Sequence, residues 1–331
     1  MRVLFIGGTG NLSSACTERA LEKGFEVFHL NRGSGLEREN ARVKTLKADI
    51  GNPETVRTAI AGLRFDSVVQ FLAYRPEQVE ADLDTFGDIV GQYVLISTAS
   101  AYQKPSLTPV ITETTPLENP FWEYSRLKIA CENLLTAKAP ARSFPFTIVR
   151  PSHTYGDRWI PSCFGSASYG LAWRMREGKE IVVPGDGQSL WTLTHASDFA
   201  VGLVGLLGNK AALSEAFHIT SDDHLTWSAI YAITAEALGV RPKLVHIPSD
   251  YIARIKPERG AGLLGDKAVS VLFDNSKIRR FVPEFQPSVS FPEGIRRSLA
   301  WYDEHPELKA PDPTMNREMD EILGRWKSAM V

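Results

Sequence analysis

The chain has 331 residues, a formal net charge of −2 and three cysteines. This length suits one large or two coupled domains, and the near-neutral charge argues against a nucleic-acid or membrane partner. The scattered cysteines lack a C-x-x-C spacing, so neither a disulfide framework nor a metal site is expected. No signal peptide precedes the first strand and no apolar run is long enough to cross a bilayer, which predicts a cytoplasmic protein.

Short apolar runs alternate with helical patterns through the first half of the chain. Strands are predicted at residues 3–6, 26–30, 43–47, 67–72, 93–97 and 146–149, and helices at residues 13–23, 53–61, 76–86 and 124–138. This alternation is typical of α/β proteins in which helices cover both faces of a parallel sheet. We therefore predict a doubly wound parallel sheet, the Rossmann fold, with ligands at the carboxyl ends of its strands.

The pattern loosens after Pro151, where glycines, prolines and tryptophans become common and the strands shorten. We predict a dinucleotide-binding domain over residues 1–160, to which segments around residues 189–220 return. A smaller C-terminal substrate-binding region would take residues 161–188 and 221–310. The amphipathic helix predicted over residues 314–331 is expected to pack on its own domain rather than to form a dimer arm.

A glycine-rich turn, Gly-Gly-Thr-Gly-Asn-Leu-Ser, joins the first strand to the first helix at residues 7–13. Glycine permits the tight turn and a close approach of the backbone to a pyrophosphate, while the helix start offers free N–H groups. Ser13 replaces the third glycine of the usual pattern, and its side chain is small enough for close packing. The strand before and the helix after favour a dinucleotide site, with contacts from Gly7, Thr9, Gly10, Asn11 and Leu12.

The end of the second strand bears on the choice of cofactor. NAD sites usually carry an acid there that holds the ribose 2′-hydroxyl, but this chain has Asn31 followed by Arg32. Without a carboxylate a 2′-phosphate is not repelled, and a guanidinium can pair with it. We therefore predict NADP as the cofactor, with NAD as the alternative.

Tyr124 and Lys128 stand four residues apart in a predicted helix, so their side chains share one face. A free phenol, with a pKa of about 10, is a poor base at neutral pH, and a neighbouring ammonium lowers that pKa. Such a phenol can exchange a proton with a substrate alcohol. The spacing alone arises by chance in many helices, but it accompanies a dinucleotide-binding turn here, and we expect the pair to be catalytic.

Together these features resemble the extended short-chain dehydrogenase/reductase family, in particular its sugar-nucleotide epimerase and dehydratase group. Residues 1–10 are similar to the opening of that family, residues 96–102 to its segment with a catalytic hydroxyl, and residues 150–156 to its loop over the nicotinamide. The resemblance implies an NAD(P)-dependent oxidoreductase or epimerase that acts at a hydroxyl or carbonyl carbon of a small, carbohydrate-like substrate.

The resemblance also implies roles for particular residues. Thr98 and Tyr124 would hydrogen-bond the reacting oxygen, Tyr124 would exchange the proton, and Lys128 would lower the pKa of the tyrosine and hold the nicotinamide ribose. Further cofactor contacts are expected from Asp49, Ile50, Leu72, Ala73, Tyr74, Pro151 and His153. Substrate contacts are expected from Tyr74, Ser100, Trp122 and Trp191.

Two departures from the family pattern concern the substrate. Trp191 stands where nucleotide-sugar enzymes commonly place an arginine that grips the diphosphate, and residues 262–264 lack a second such arginine. Arg259 is near enough in sequence to compensate for one of them. Because an unpaired diphosphate is costly, a substrate other than a nucleotide sugar remains open.

A third departure is the short segment between Ala73 and Tyr93, where about one helix is trimmed relative to the family. That helix often belongs to the dimer interface, so a homodimer stays open. The trimming also resembles a divergent branch that contains chloroplast RNA-associated proteins. Two alternatives follow: a reductase or dehydrogenase of a non-nucleotide small molecule, and a non-catalytic dinucleotide- or RNA-binding module.

Overall fold

The computed structural model describes residues 1–33, 40–164 and 168–330. Its strands, in chain order, are β1 (Arg2–Ile6), β2 (Glu26–Asn31), β3 (Lys44–Lys47), β4 (Ser67–Gln70), β5 (Tyr93–Ile96), β6 (Val110–Ile111), β7 (Phe146–Pro151), β8 (His153–Tyr155), β9 (Glu180–Pro184), β10 (Leu190–Trp191), β11 (Leu193–His195), β12 (Ala216–Ile219), β13 (Leu225–Thr226), β14 (Lys243–Ile247) and β15 (Leu272–Phe273). Its helices are α1 (Asn11–Glu22), α2 (Pro53–Ala59), α3 (Pro76–Phe86), α4 (Glu123–Lys138), α5 (Gly170–Arg176), α6 (Ala196–Leu206), α7 (Trp227–Leu238), α8 (Ser249–Ile255), α9 (Pro257–Gly262), α10 (Ser276–Phe281), α11 (Phe291–Glu304) and α12 (Pro313–Ala329).

Seven strands form one sheet in the order β12-β7-β5-β4-β1-β2-β3. All pairings between these strands are parallel. From β1 the chain adds strands first in one direction and then in the other, so the order reverses between β1 and β4. Such a reversal opens a crevice at the carboxyl ends of the two strands. The predicted doubly wound parallel sheet is confirmed.

Alternate residues of β1 point to opposite faces of the sheet, as the pleat of a strand requires. Val3 and Phe5 pack with α1 and α6 in one hydrophobic core, while Leu4 and Ile6 pack with α2, α3 and α4 in another. All four side chains are fully buried. Burial on both faces explains why the strand is a continuous apolar run in the sequence.

The chain returns to the sheet after residue 189, since β12 pairs with β7 and α6 packs against α1. A third hydrophobic core lies in the C-terminal part, where α5, α7, α11 and α12 surround β9. Helix α12 contributes four buried side chains to this core, those of Met315, Met319, Ile322 and Leu323. Met330 is exposed. The domain boundaries themselves stay a prediction.

Strand β4 ends at Gln70, two residues before the predicted end. The side-chain carbonyl of Gln70 accepts a hydrogen bond from the backbone N–H of Leu72 at 2.8 Å, which turns the chain out of the sheet. A single helix, α3, then connects β4 to β5 within the described residues. Among those residues, no helix is long and apolar enough to cross a membrane.

Candidate active site

A cleft of about 550 Å³ opens at the carboxyl ends of β1, β4, β5 and β7. Its volume lies within the usual range of ligand pockets, roughly 300–1,000 Å³. It begins at the turn after β1, where the strand order reverses, and extends to residues 258–273 of the C-terminal part. Fourteen of the predicted site residues line it: Gly7, Gly10, Asn11, Leu12, Leu72, Tyr74, Thr98, Ser100, Trp122, Tyr124, Lys128, Pro151, His153 and Trp191.

The turn after β1 is shaped by close contacts that only glycine permits. Gly7 has φ +83°, and a Cβ added there would lie 2.7 Å from the Cγ of Leu72. Ser13, which stands in place of the third glycine, also makes hydrogen bonds that a glycine could not make. Its Oγ donates to the carbonyl of Gly7 at 2.7 Å and accepts from the N–H of Gly10 at 2.9 Å. The turn is therefore fastened to the first turn of α1, whose remaining N–H groups face an anion in such motifs.

Two buried polar atoms in this part of the cleft have no hydrogen-bond partner within the described chain. They are Nδ2 of Asn11 and Oγ of Ser97, and both residues line the cleft. Buried polar groups are rarely left unpaired. The phosphate and ribose oxygens of a dinucleotide would supply acceptors, so the residues present fit such a cofactor.

Six predicted cofactor residues do not line the cleft: Thr9, Asn31, Arg32, Asp49, Ile50 and Ala73. Arg32 is exposed just beyond β2, and Asp49 accepts a hydrogen bond from the N–H of Gly51 in a turn. A second cation, Lys47, lies at the end of β3, where its Cε would be 2.7 Å from a Cβ added at Gly33. Sequence analysis missed Lys47, because a linear pattern does not show that β3 pairs with β2 and so places Lys47 beside Asn31.

Tyr124 lies in the first turn of α4, and both Tyr124 and Thr98 line the cleft. One turn later, Lys128 is buried and its ammonium donates to two backbone carbonyls, at 2.6 Å to Ala73 and 2.8 Å to Ile96. The Nζ of Lys128 is 4.6 Å from the ring centre of Tyr74. The structure thus brings the three predicted catalytic residues together at the ends of β4 and β5.

The acidity of this phenol differs from the prediction. Burial, followed by the neighbouring phenol of Tyr74, raises the pKa of Tyr124 to about 12, and the hydroxyl of Thr98 only partly opposes this. Burial also lowers the pKa of Lys128 to about 8. The prediction that Lys128 lowers the tyrosine pKa is wrong here, because the ammonium is turned toward carbonyls and desolvation of the phenolate dominates. Tyr124 therefore holds its proton at neutral pH.

The predicted substrate contact Ser100 belongs to a chain of hydroxyl groups. Its Oγ lies 3.0 Å from Oγ1 of Thr98 and 2.7 Å from Oγ of Ser125. Ser100 reaches the cleft wall but is only 4% exposed. Its hydroxyl is thus engaged in fixing Thr98, and Ser125 joins the site without having been predicted.

Asn119 is a second residue that sequence analysis missed. It is buried, and its Nδ2 donates to the carbonyls of Ser100 at 2.8 Å and Gly265 at 2.6 Å. Its Oδ1 accepts from the N–H groups of Phe121 and Trp122, just before α4. One amide therefore ties the Thr98 segment, the start of α4 and residues 263–267 together, and no local sequence signal marks it.

The inner end of the cleft is aromatic. Trp191 is almost fully buried, and its ring centre lies 4.5 Å from that of His153 and 4.6 Å from that of Trp227. Trp191 is thus both part of the core and a wall of the cleft. Burial, reinforced by the charge of Lys267, lowers the pKa of His153 to about 3, so this imidazole is neutral.

His195 lies outside the cleft and has a structural role. Its Nδ1 lies 2.7 Å from Oγ of Ser197 and caps the start of α6. The carboxylate of Asp198 accepts hydrogen bonds from the N–H groups of Ser288 and Val289. Within residues 1–33, 40–164 and 168–330, no group of three or more His, Cys, Asp or Glu side chains could hold a metal ion.

Known proteins share both the sequence pattern and the fold. The model of the NAD dependent epimerase/dehydratase family matches residues 3–220. A curated relative is the chloroplast stem-loop binding protein of 41 kDa b from Arabidopsis thaliana, which is 25% identical over 259 residues. The alignment covers 74% of this chain and 65% of that relative, so the chain spans slightly less than two thirds of the relative's length.

Two solved structures show the same architecture. An epimerase from Methanothermobacter thermautotrophicus superposes with a TM-score of 0.77 at 21% identity, covering 93% of this chain and 94% of that one. The UDP-glucuronic acid 4-epimerase from Bacillus cereus, in complex with UDP-glucuronic acid and NAD, superposes with a TM-score of 0.74 at 18% identity. The superposition covers 92% of this chain and 100% of that one. At such identities the likeness establishes the fold alone.

The family match extends from β1 through β12 and so includes the glycine turn, Thr98, Tyr124 and Lys128. It covers more than half of the chain and confirms the resemblance seen in the sequence. The chain therefore belongs to the NAD dependent epimerase/dehydratase family.

Proposed function

We propose that the protein is an NAD(P)-dependent oxidoreductase or epimerase acting at a hydroxyl or carbonyl carbon of a carbohydrate-like substrate. The observation that carries this proposal is the meeting of Thr98, Tyr124 and Lys128 in the same cleft as the glycine turn. A bound nicotinamide dinucleotide supplies the hydride donor or acceptor in such a reaction. The protein supplies position, proton transfer and charge.

Tyr124 acts as the acid and base. Because its pKa lies at about 12, it holds a proton at neutral pH and can donate it to the oxygen of a carbonyl that is being reduced. Thr98 lines the same cleft and orients the same substrate oxygen. In the reverse direction Tyr124 must first lose its proton, so oxidation is favoured by higher pH.

Lys128 holds the cofactor. An ammonium has three donors, and two of those of Lys128 bind the carbonyls of Ala73 and Ile96. This leaves one donor for a ribose hydroxyl above the ends of β4 and β5. The positive charge also compensates negative charge that develops on the phenol during proton transfer.

NADP is the proposed cofactor. Arg32 and Lys47 both carry positive charge near the end of β2, where a 2′-phosphate would lie, and Asn31 adds no negative charge. NAD is the alternative, favoured by the family description and by the NAD in the Bacillus cereus epimerase. Dissociation constants of the two dinucleotides, measured by calorimetry, test the preference, and tighter binding of NAD contradicts it.

The substrate and the fate of the cofactor separate the enzyme classes. An epimerase retains its dinucleotide through turnover, whereas a reductase or dehydrogenase of a non-nucleotide small molecule releases it. Mass spectrometry of the molecules that co-purify with the protein tests this. Tightly held dinucleotide supports the epimerase. Activity that appears only when dinucleotide is added supports the reductase.

A non-catalytic RNA-binding module is the second candidate. The name of the Arabidopsis relative, a stem-loop binding protein, favours it. The net charge of −2 gives RNA no broad basic surface, and the complete set of Thr98, Tyr124 and Lys128 favours catalysis. A gel-shift assay with stem-loop RNA at physiological salt tests it directly. A cytoplasmic location, the absence of a nucleic-acid or membrane partner, and a homodimer stay predictions.

A further inference from the structure

Three polar atoms at the inner end of the cleft are buried without a hydrogen-bond partner in the part of the chain that the structure describes. They are Nε2 of His153, Nε1 of Trp159 and Oγ1 of Thr192. All three residues line the cleft, and Thr192 is only 1% exposed. An indole N–H can only donate, and a hydroxyl can donate or accept. Unpaired groups concentrated in one place indicate that a ligand with acceptor oxygens completes them.

The same end of the cleft contains a buried ammonium group with unused donors. Lys267 lines the cleft, is 7% exposed and donates to the carboxylate of Asp266 at 3.1 Å. An ammonium has three donors, and this is the one hydrogen bond that Nζ of Lys267 makes within the described residues. Buried donors are rarely left unpaired, so Lys267 has donors for the oxygens of a ligand.

Lys267 lies beside the aromatic wall that contains the unpaired atoms. Its Nζ is 4.8 Å from the ring centre of Trp191 and 5.4 Å from that of Trp122. The ring of Trp191 contacts that of His153, and His153 is 5.9 Å from Trp159 between ring centres. Lys267 and the residues with unpaired atoms thus line the same cleft.

The other cation at this end is already neutralised. The Nε of Arg259 donates to the carboxylate of Glu318 at 2.7 Å, and its Nη1 donates to the carbonyl of Phe164 at 2.7 Å. Arg259 therefore does not replace the arginine forks that a diphosphate needs. Lys267, by contrast, keeps unused donors at this end of the cleft.

We propose that this inner end binds one oxyanion of the substrate, a carboxylate or a phosphomonoester, through Lys267, with Trp159 and Thr192 as further donors. The proposal deepens the proposed function, on which it rests, by naming the substrate class as a small acidic carbohydrate-like molecule. Trp122 offers a flat apolar face to the carbon skeleton between this oxyanion and Tyr124. A diphosphate fits this end less well, since Arg259 is already paired and no other arginine fork faces its two charged groups among the described lining residues.

Calorimetric titration of the full chain, with and without saturating NADP, tests the proposal. The probes are glucuronate for the carboxylate, glucose 6-phosphate for the phosphomonoester, glucose as the neutral match and UDP-glucose as the diphosphate. We expect at least one acid to bind roughly tenfold or more tightly than glucose, the factor that one charge-assisted hydrogen bond confers. The tighter of the two acids identifies the oxyanion.

Variants assign the effect to this site. Lys267→Met is expected to remove the preference for the acid over glucose, whereas Lys267→Arg keeps it and Thr192→Val weakens it. Lys327→Met, an exposed lysine on α12, is the matched control and should leave the preference unchanged. Thermal melting of each variant verifies that it folds. If Lys267→Met does not fold, the other two variants decide: the preference for the acid over glucose should weaken in Thr192→Val and persist in Lys267→Arg.

Several results would overturn the proposal: equal binding of acids and glucose, tighter binding of UDP-glucose than of either acid, or a preference that survives in folded Lys267→Met. Failure of the proposed function looks different. It appears as a protein that binds no dinucleotide or turns over no substrate, while the titrations without NADP still report on the acid site.

Discussion

Replacing Tyr124 by phenylalanine removes one hydroxyl group and little else. The ring contact with Trp122, at 4.9 Å between centres, is retained. Removal of one partly buried hydroxyl, with the ring packing retained, should change the folding free energy little, so the variant should fold. A positioned general acid contributes roughly 10²–10⁴-fold to the rate. We therefore expect turnover to fall by that factor, which corresponds to roughly 3–5 kcal/mol in the activation free energy.

The assay is dinucleotide absorbance during single turnover, with the dissociation constant of the dinucleotide measured in parallel. Because the phenol retains its proton up to a pKa of about 12, reduction by the unmodified protein should be independent of pH near neutrality. Oxidation should rise by about tenfold per pH unit, since it needs the phenolate. The pH dependence of oxidation should disappear in Tyr124→Phe.

Tyr251→Phe is the matched control, since the hydroxyl of Tyr251 donates to the carbonyl of Arg325 far from the cleft. It should leave turnover unchanged. Near-normal turnover in Tyr124→Phe, with cofactor affinity intact, would refute the assignment of this phenol as the acid. Loss of cofactor binding in the same variant would show instead that the phenol holds the dinucleotide.

Three further predictions concern other parts of the molecule. Dinucleotide affinity should fall as pH rises through about 8, because Lys128 then loses its proton. The Lys128→Met variant should bind the dinucleotide more weakly, and a fluorescence titration should show that its affinity no longer depends on pH in this range. Arg32→Ala should reduce the preference for NADP by roughly tenfold, the value of one charge-assisted hydrogen bond, and an unchanged ratio of dissociation constants contradicts this. Met319→Ala, in the buried face of α12, should lower the free energy of unfolding by about 2–5 kcal/mol. Met330→Ala, which is exposed, should change it by less than about 0.5 kcal/mol in the same denaturant titration.

The features that sequence analysis predicted best have local causes. The glycine turn was visible because φ at Gly7 and the close approach of Leu72 permit no side chain. The strands of the central sheet were visible because burial on both faces makes them apolar runs. Tyr124 and Lys128 were visible because a helix places residues four apart on one face. Each signal is contained in a short stretch of chain.

The features that sequence analysis missed depend on residues that are distant in the chain. Lys267 meets the rings of Trp122 and Trp191, which lie 145 and 76 positions earlier in the chain. Ser125 joins the hydroxyl chain only because α4 packs beside the turn after β5. The pKa of Tyr124 was mispredicted for the same reason, since a four-residue spacing shows the lysine but not the packing that desolvates the phenol.

Asn119 connects the two ends of the cleft. Its amide holds the carbonyl of Ser100, two residues after Thr98, and the carbonyl of Gly265, two residues before Lys267. It also holds the N–H of Trp122, two residues before Tyr124. A buried side chain with four hydrogen bonds has little freedom to move. The distance between the proposed oxyanion site and the catalytic hydroxyls is therefore fixed by the protein, which restricts the substrate to molecules whose acidic group and reacting carbon match that separation.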